Sequence, residues 1–294
     1  MRYARRMKSQ KTFEKNSTCL LCGDKRFIKI FSYQEPDRYE HAIGVKARGY
    51  FRHWVRCLNC SFYYSVYSRP RNFINRIYQS VYRDNAASWR KETAEEIFRK
   101  IIALPKRKSE TKQRVAWIKN AIGKAWDNSL AKRPKAPFAF LDIGGGAAIF
   151  AHEFKDQLWK PYITDPATNN SFVKTKLHIP LIQNFYQPGQ FRKKFTFISL
   201  IYVLEHLENP ITILKKIRKD LTEKSFLYIE VPDSIAFRLK PQDDDIFNSC
   251  HLWMFDPETL TRLLKECGFE ILALKRLKTM RGHFALMALA KIMR

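Results

Sequence analysis

A short apolar run, Phe138 to Ile143, breaks into Gly144-Gly145-Gly146-Ala147-Ala148, and further apolar residues follow from Ile149 to Trp159. Few folds accommodate such a pattern. A strand that enters a helix through a glycine turn brings backbone amides and the helix N-terminus close to a ligand. A second short strand ends at Asp165, 21 residues past Gly144, where an acidic side chain can grip both hydroxyls of a ribose. The two features together favour an adenosine-type ligand. Beyond them strand and helix patterns alternate, which predicts a Rossmann-like α/β domain with a mostly parallel sheet covered by helices on both faces. A nicotinamide-dinucleotide domain uses the same devices, but the third glycine of its Gly-x-Gly-x-x-Gly spacing falls on Ile149 here.

Ahead of this half lie two cysteine pairs, Cys19-x2-Cys22 and Cys57-x2-Cys60, with Gly23 directly after the first. Two such knuckles place four thiolates around one structural Zn2+, and an all-cysteine set leaves no open coordination position, so the metal braces the fold. Thiol chemistry or two disulfides are the alternatives. A thioredoxin-type site needs one pair at a helix start in a βαβ context, and that is not seen. Phe27 to Tyr33 and Tyr50 to Arg56 have the aromatic and β-branched content of strands, as in a zinc-ribbon-like hairpin. Cys250 and Cys267, far from the pairs, are expected to be buried.

Three regions follow: a zinc-binding module over 1–69, a helical linker or cap over 70–137, and the α/β domain over 138–294. Phe73, Ile74, Ile77, Tyr78, Val81 and Tyr82 recur at helical spacing, as do Ile97, Ile101 and Ile102, and then Val115, Ile118 and Ile122. Leu104 to Arg114 and Lys132 to Pro137 are rich in basic residues and proline and look like exposed connections. Tyr78 and Tyr82 either close over a ligand or belong to the core.

The net charge of +26 is unevenly spread, with 32 of the 54 basic but only 11 of the 28 acidic side chains in residues 1–140. Such a field attracts phosphates, whether of nucleic acid, of nucleotide conjugates or of an anionic membrane surface, without choosing among them. No apolar stretch approaches the roughly 20 residues of a membrane helix. The basic start, Met1 to Lys15, precedes no apolar segment of secretory length, so a cytoplasmic location is expected.

Asp142-Ile143-Gly144-Gly145-Gly146-Ala147-Ala148 resembles motif I of class I S-adenosylmethionine-dependent methyltransferases, with Ala148 in place of the third glycine. Phe195 to Pro210, containing Val203-Leu204-Glu205-His206-Leu207-Glu208-Asn209-Pro210, resembles their fourth strand and the segment after it. Phe226 to Asp233 resembles the fifth strand, and His251-Leu252-Trp253-Met254-Phe255-Asp256 an element before the next helix. Two terminal strands, about Phe269 to Leu277 and His283 to Lys291, complete a seven-stranded sheet whose last strand runs antiparallel. With the cysteine module in front, the chain is similar to zinc-bearing sugar C-methyltransferases and to methyltransferases of cell-surface polysaccharide synthesis.

The resemblance implies roles. Gly144 and Gly146 let the backbone run beside S-adenosylmethionine, Asp142 either orients its amino group, directly or through water, or fixes the turn, and Asp165 accepts from its ribose. Where the family often offers an acid to the adenine this chain departs with Asn184, whose carbonyl can accept there; Leu200 and Ile201 offer backbone carbonyls, and Glu205 and His206 shape the cofactor loop, unless His206 acts on the acceptor. An in-line methyl transfer needs the acceptor aligned and its proton managed, and His206, His251 and Tyr202 are the candidates for that task. An imidazole of ordinary pKa, near ~6.5, serves as a base around neutrality; His251 can instead hold the helix start at Asp256-Pro257. Asp243-Asp244-Asp245 reads as a solvated loop or a contact to substrate or metal. The long loop from Pro232 to Ser249 is expected to cover a small pocket. The acceptor implied is a sugar, nucleotide-linked or part of a surface glycan. The second reading is an RNA methyltransferase gripping phosphates through the basic half, although no Asn-Pro-Pro-Tyr-like tetrapeptide follows strand four. The third is a catalytically silent binding protein of the same fold.

Overall fold

The structure is a computed structural model, and it describes residues 17–69, 71, 73–78, 92–128, 134–166, 171–280 and 282–293. Met1 to Lys15, Val81, Tyr82 and part of the Lys132–Pro137 connection lie outside them.

Two sheets organise the described residues. The larger has seven strands in the order β10-β11-β8-β7-β4-β5-β6. Its members are β4 (Phe138–Ile143), β5 (Trp159–Thr164), β6 (Leu181–Ile182), β7 (Phe195–Ile201), β8 (Leu221–Pro232), β10 (Phe269–Lys278) and β11 (Phe284–Ile292). β4, β5, β6, β7 and β8 pair in parallel, while β11 runs antiparallel to both β8 and β10. The central strands are buried on both faces, which is why β4 and β7 read as near-continuous apolar runs. From β4 the chain moves outward through β5 to β6, then returns to lay β7 on the other side of β4. That reversal opens a crevice at the strands' carboxyl ends.

Aromatic packing closes one face of this sheet. Phe154 and Phe197 stack 4.9 Å apart, Phe140 lies 4.9 Å from Phe154, and Trp126 stacks on Trp159 at 6.0 Å. The helices covering this region are α2 (Ala94–Ile102), α3 (Glu110–Asp127) and α4 (Ile149–Phe154). Val115, Ile118 and Ile122 of α3 are buried as their spacing predicts, and Phe98 is the buried residue of α2.

α4 is only six residues long, shorter than the apolar run to Trp159 predicts. The Asp156 carboxylate accepts from the amides of Leu158 and Trp159, both at 2.8 Å; this side-chain-closed turn stops the helix and starts β5. The stretch Leu104–Arg114 is likewise not one exposed connection. Ser109 caps α3 by accepting from the Lys112 amide, so Glu110 onward is helical and Arg114 is buried.

The smaller sheet runs β1 (Phe27–Tyr33), β2 (Arg52–Cys57), β3 (Tyr63–Tyr67) and β9 (Trp253–Met254). β9 comes from the far end of the chain. The segment before it is bonded to the amino-terminal sheet throughout: Arg52 donates to the Phe247 carbonyl at 2.6 Å, Tyr67 to that of Ser249 at 2.8 Å, and the Ser65 amide to that of Leu252 at 2.9 Å. Asp37, which caps α1 (Arg38–Ala42), also accepts from the Ser249 amide and hydroxyl. The loop after β8 therefore packs its Ala236, Ile246 and Phe247 against Trp54 and Phe31 of the small sheet and is not a free cover over a pocket. Cys250 and Cys267 are buried as expected.

Candidate cofactor crevice and acceptor edge

Gly144 leaves β4 at φ +74°, and a Cβ there would lie 2.5 Å from Cγ2 of Val203. Both the left-handed backbone and this close approach require glycine. Gly146, at φ +50°, has nothing within 4 Å of where a Cβ would stand, so the turn faces open space. Its amide donates to Oδ2 of Asp165 at 2.8 Å, which joins the turn after β4 to the end of β5. Ala148, the departure from the three-glycine pattern, sits at φ +61° as N-cap of α4 and is fully buried.

Beside the turn is a cavity of about 160 Å3 lined by Arg114, Asp142, Gly144, Gly145, Phe150 and Ile201, among others. That volume suits one end of a nucleoside-sized ligand, and the turn beside it opens to free space at Gly146. The residues present fit S-adenosylmethionine: a buried carboxylate on the cavity wall, a close-approach turn and a second carboxylate at the end of β5. Ser199 on β7 donates to Oδ1 of Asp142 at 2.5 Å. Burial pushes the Asp142 carboxyl up to about 7, against the pull of the Ser199 hydroxyl and with the Asp165 charge adding to the rise.

Arg114 and Glu230 form the deepest ion pair at the crevice. The guanidinium donates to both carboxylate oxygens, at 2.5 and 2.6 Å, and Tyr228 donates to one of them at 2.6 Å. Neither Arg114 nor Glu230 stands out as a site residue in the sequence, yet Arg114, Ile118 and Ile122 share one helix face at four-residue spacing. That spacing places a cation on the sheet-facing side of α3. Tyr202 follows β7 at φ +55°, with its amide donating to the Glu230 carbonyl at 2.8 Å. The residue is 37% exposed, and desolvation of the enclosed part of its ring, then the Glu230 charge, pushes its phenol up. A tyrosine in the left-handed region is a strained placement that the surrounding contacts enforce.

The next turn, Leu204–His206, brings Glu205 and His206 beside His251. Glu205 is fully buried, and neither carboxylate oxygen has a hydrogen-bond partner. Burial pushes its carboxyl up to about 8, with its own backbone amide pulling the other way. The His206 Nδ1–H faces the Cys250 carbonyl at 2.8 Å, and His251 Nδ1–H that of Ile246 at 2.6 Å. The two imidazole centroids lie 4.8 Å apart, and the Tyr78 ring meets His206 edge-on. Burial lowers His206 to about 3, and His251 to about 4, well below the ordinary imidazole value. The start of α5 (Pro257–Glu266) is capped by Asp256 with Thr259, so His251 has no part in it.

Asn184 lies past β6, where its side-chain oxygen accepts from the Phe185 amide and its carbonyl from Thr164. Leu200 is buried in register with Ile143 and Ile229. The acidic run is committed elsewhere: Asp244 accepts from the Ile246 amide and pairs with Lys240, while Asp245 pairs with Arg38.

In the small sheet the four cysteines form one cluster with all sulfurs within 4.8 Å of one another, Cys19 to Cys60 at 3.4 Å and Cys22 to Cys57 at 3.5 Å, and none is in a disulfide. Gly23 and Ser61, each just after a pair, both take positive φ, and their amides donate back to Cys19 and Cys57. The second of these turns is not marked by a glycine. Cys22 is brought down to about 7, because the Asp24 amide and the Asn59 side chain outweigh the upward push of burial. The chemistry of this donor set fits a tetrahedral metal.

The profile of a family described as "methyltransferase domain" matches residues 89–274. Among solved structures, the chain is similar to magnesium protoporphyrin IX methyltransferase from Synechocystis PCC 6803 with bound S-adenosylhomocysteine, at 12% identity over 76% of this chain and 100% of that one, with a TM-score of 0.51. It is also similar to Burkholderia thailandensis 1,6-didemethyltoxoflavin-N1-methyltransferase, at 15% identity over 63% and 79% of the two chains, TM-score 0.48. A third is an S-adenosylmethionine-dependent methyltransferase from Clostridium acetobutylicum ATCC 824, at 11% identity over 68% and 98%, TM-score 0.48. The first likeness shows a shared fold. No curated protein sequence matches significantly.

Proposed function

The chain belongs to the methyltransferase-domain family, and from that premise we propose that it transfers a methyl group from S-adenosylmethionine to a small-molecule or glycan acceptor, specifically a sugar. The observation that carries this reading is the junction of Gly146 and Asp165 at 2.8 Å, which fixes a carboxylate at the carboxyl end of β5 above a turn open to a ligand. When bound, S-adenosylmethionine supplies a methyl carbon on a sulfonium, already an excellent leaving group. Asp165 accepts from the ribose hydroxyls. Gly144 and Gly146 let the main chain pass beside the ligand, and Asp142, held by Ser199, faces its ammonium group. Asn184 borders the adenine end, and Leu200 and Glu205 support the cofactor loop.

Tyr202, His206 and His251 border the acceptor. His251 reaches this edge because β9 belongs to the cysteine-bearing sheet, so the acceptor site is assembled between that sheet and the nucleotide half. Cys19, Cys22, Cys57 and Cys60 hold a structural Zn2+ that braces the small sheet. The sugar acceptor is supported by the combination of this module with the methyltransferase sheet. Among the described residues no helix is long and apolar enough to cross a membrane.

Incubating the protein with isotopically labelled S-adenosylmethionine and a panel of nucleotide sugars and free glycans tests the reading. One labelled methyl group on a sugar product is expected, whereas label appearing only on RNA would replace the sugar assignment.

A further inference from the structure

We propose that Glu205, His206 and His251 form a second metal site that takes one divalent first-row transition ion through two imidazole nitrogens and one carboxylate. Their ligand atoms all lie within 4.8 Å of one another, with His206 Nε2 and the nearer Glu205 oxygen 3.7 Å apart. A tetrahedral ion bound at about 2.0–2.2 Å holds neighbouring ligands roughly 3.3–3.5 Å apart, so a small contraction closes the shell.

Three observations point inward to a cation. Both imidazoles spend Nδ1–H on backbone carbonyls, of Cys250 and of Ile246. That fixes the tautomer and leaves Nε2 as a lone-pair donor on each ring, the outer support that metal-bound histidines ordinarily have. The third donor, Glu205, is 0% exposed with both oxygens unpartnered. In its ionised form such a group is strongly disfavoured unless a charge or donor meets it, and no Lys or Arg is paired with it among the described residues. The third observation is provenance. His206 follows β7 in the nucleotide half, while His251 precedes β9 in the small sheet, and the Leu252 amide donates to the Glu205 carbonyl at 2.8 Å. An ion here ties the two sheets together at the acceptor edge. Imidazole and carboxylate donors select Zn2+, Co2+, Fe2+, Mn2+ or Ni2+ over alkaline-earth ions, and three protein ligands leave a position open.

The role of such an ion rests on the methyl-transfer reading above. An acceptor hydroxyl that binds the open position gives up its proton to solvent. Its oxygen then forms the bond to the methyl carbon as the carbon–sulfur bond breaks and the sulfur keeps the electron pair.

The test adds Co2+ to the full-length protein as isolated, and compares Glu205→Gln and His251→Ala with the wild type. The wild type should bind one equivalent with the visible bands of nitrogen and oxygen ligation, without the intense charge-transfer band of thiolates. Each variant should bind at least ~10-fold more weakly while its circular dichroism and metal content at the cysteine cluster are unchanged. Absence of a nitrogen/oxygen-ligated equivalent in the folded wild type, or equal binding by both variants, overturns the site. S-adenosylhomocysteine titrated into the wild type separates the two readings: cofactor binding without Co2+ binding rejects the ion alone, and Co2+ binding without cofactor binding supports the ion and rejects methyl transfer.

Discussion

Asp142 is buried beside Ser199, and burial pushes its carboxyl up to about 7; the raised value sets a sign. In the ligand-free protein this group's contribution to stability is fully present below the ordinary carboxylate range and is lost as pH rises through about 7. A ligand ammonium reverses the preference by favouring the ionised form. S-adenosylhomocysteine affinity should therefore climb with pH up to about 7 and then level, by no more than tenfold per pH unit, and Asp142→Asn should flatten the profile. Gly144→Ala tests the neighbouring contact. Its methyl group would meet Val203 at 2.5 Å on a left-handed backbone, so a loss of about 1–3 kcal/mol of stability and of most cofactor affinity is expected from thermal and calorimetric measurements. Residue-scale features of this kind are legible in a sequence when chemistry restricts the residue type, as at Gly144, Asp165 and the four cysteines. Arg114 is not, because its importance depends on Glu230, which meets it only in the folded sheet.

At the scale of elements, α3 is fastened to β8 by a buried ion pair and by the ring of Trp117 against Tyr228, 6.3 Å away. Removing one partner leaves the other as an uncompensated buried charge. Arg114→Ala should cost about 3–5 kcal/mol, and replacing both residues by apolar ones of similar volume should cost much less; denaturant titration of the single and double variants distinguishes these outcomes. Strands β4, β7 and β8 are read easily from their apolar runs, since a parallel sheet buries both faces. The length of α4 was not, because the Asp156 side chain closes a turn before the apolar pattern ends. Nor was β9 foreseeable: two residues pair with a strand nearly 190 positions earlier, and no local periodicity encodes that partner.

For the whole molecule, one apolar cluster runs from Cys19 and Leu21 through Phe62 and Trp253 to Leu264 and Ala288, so the cysteine-bearing sheet and the nucleotide half share a core. On the proposal that the four cysteines hold zinc, a chelator should lower a single cooperative thermal transition, whereas two separated transitions would show that the module unfolds by itself. Loop 244–255 crosses onto the small sheet, and basic side chains of the amino-terminal part hold it there, Arg38 pairing with Asp245 and Arg52 donating to the Phe247 carbonyl. Function rests on the crevice at the carboxyl ends of β4 and its neighbours holding an adenosylated sulfur compound. Calorimetric titration with S-adenosylhomocysteine measures this directly: one site per chain is predicted, weakened at least ~10-fold by Asp165→Ala. A folded wild-type protein that gives no binding heat and no thermal shift with the ligand would contradict it.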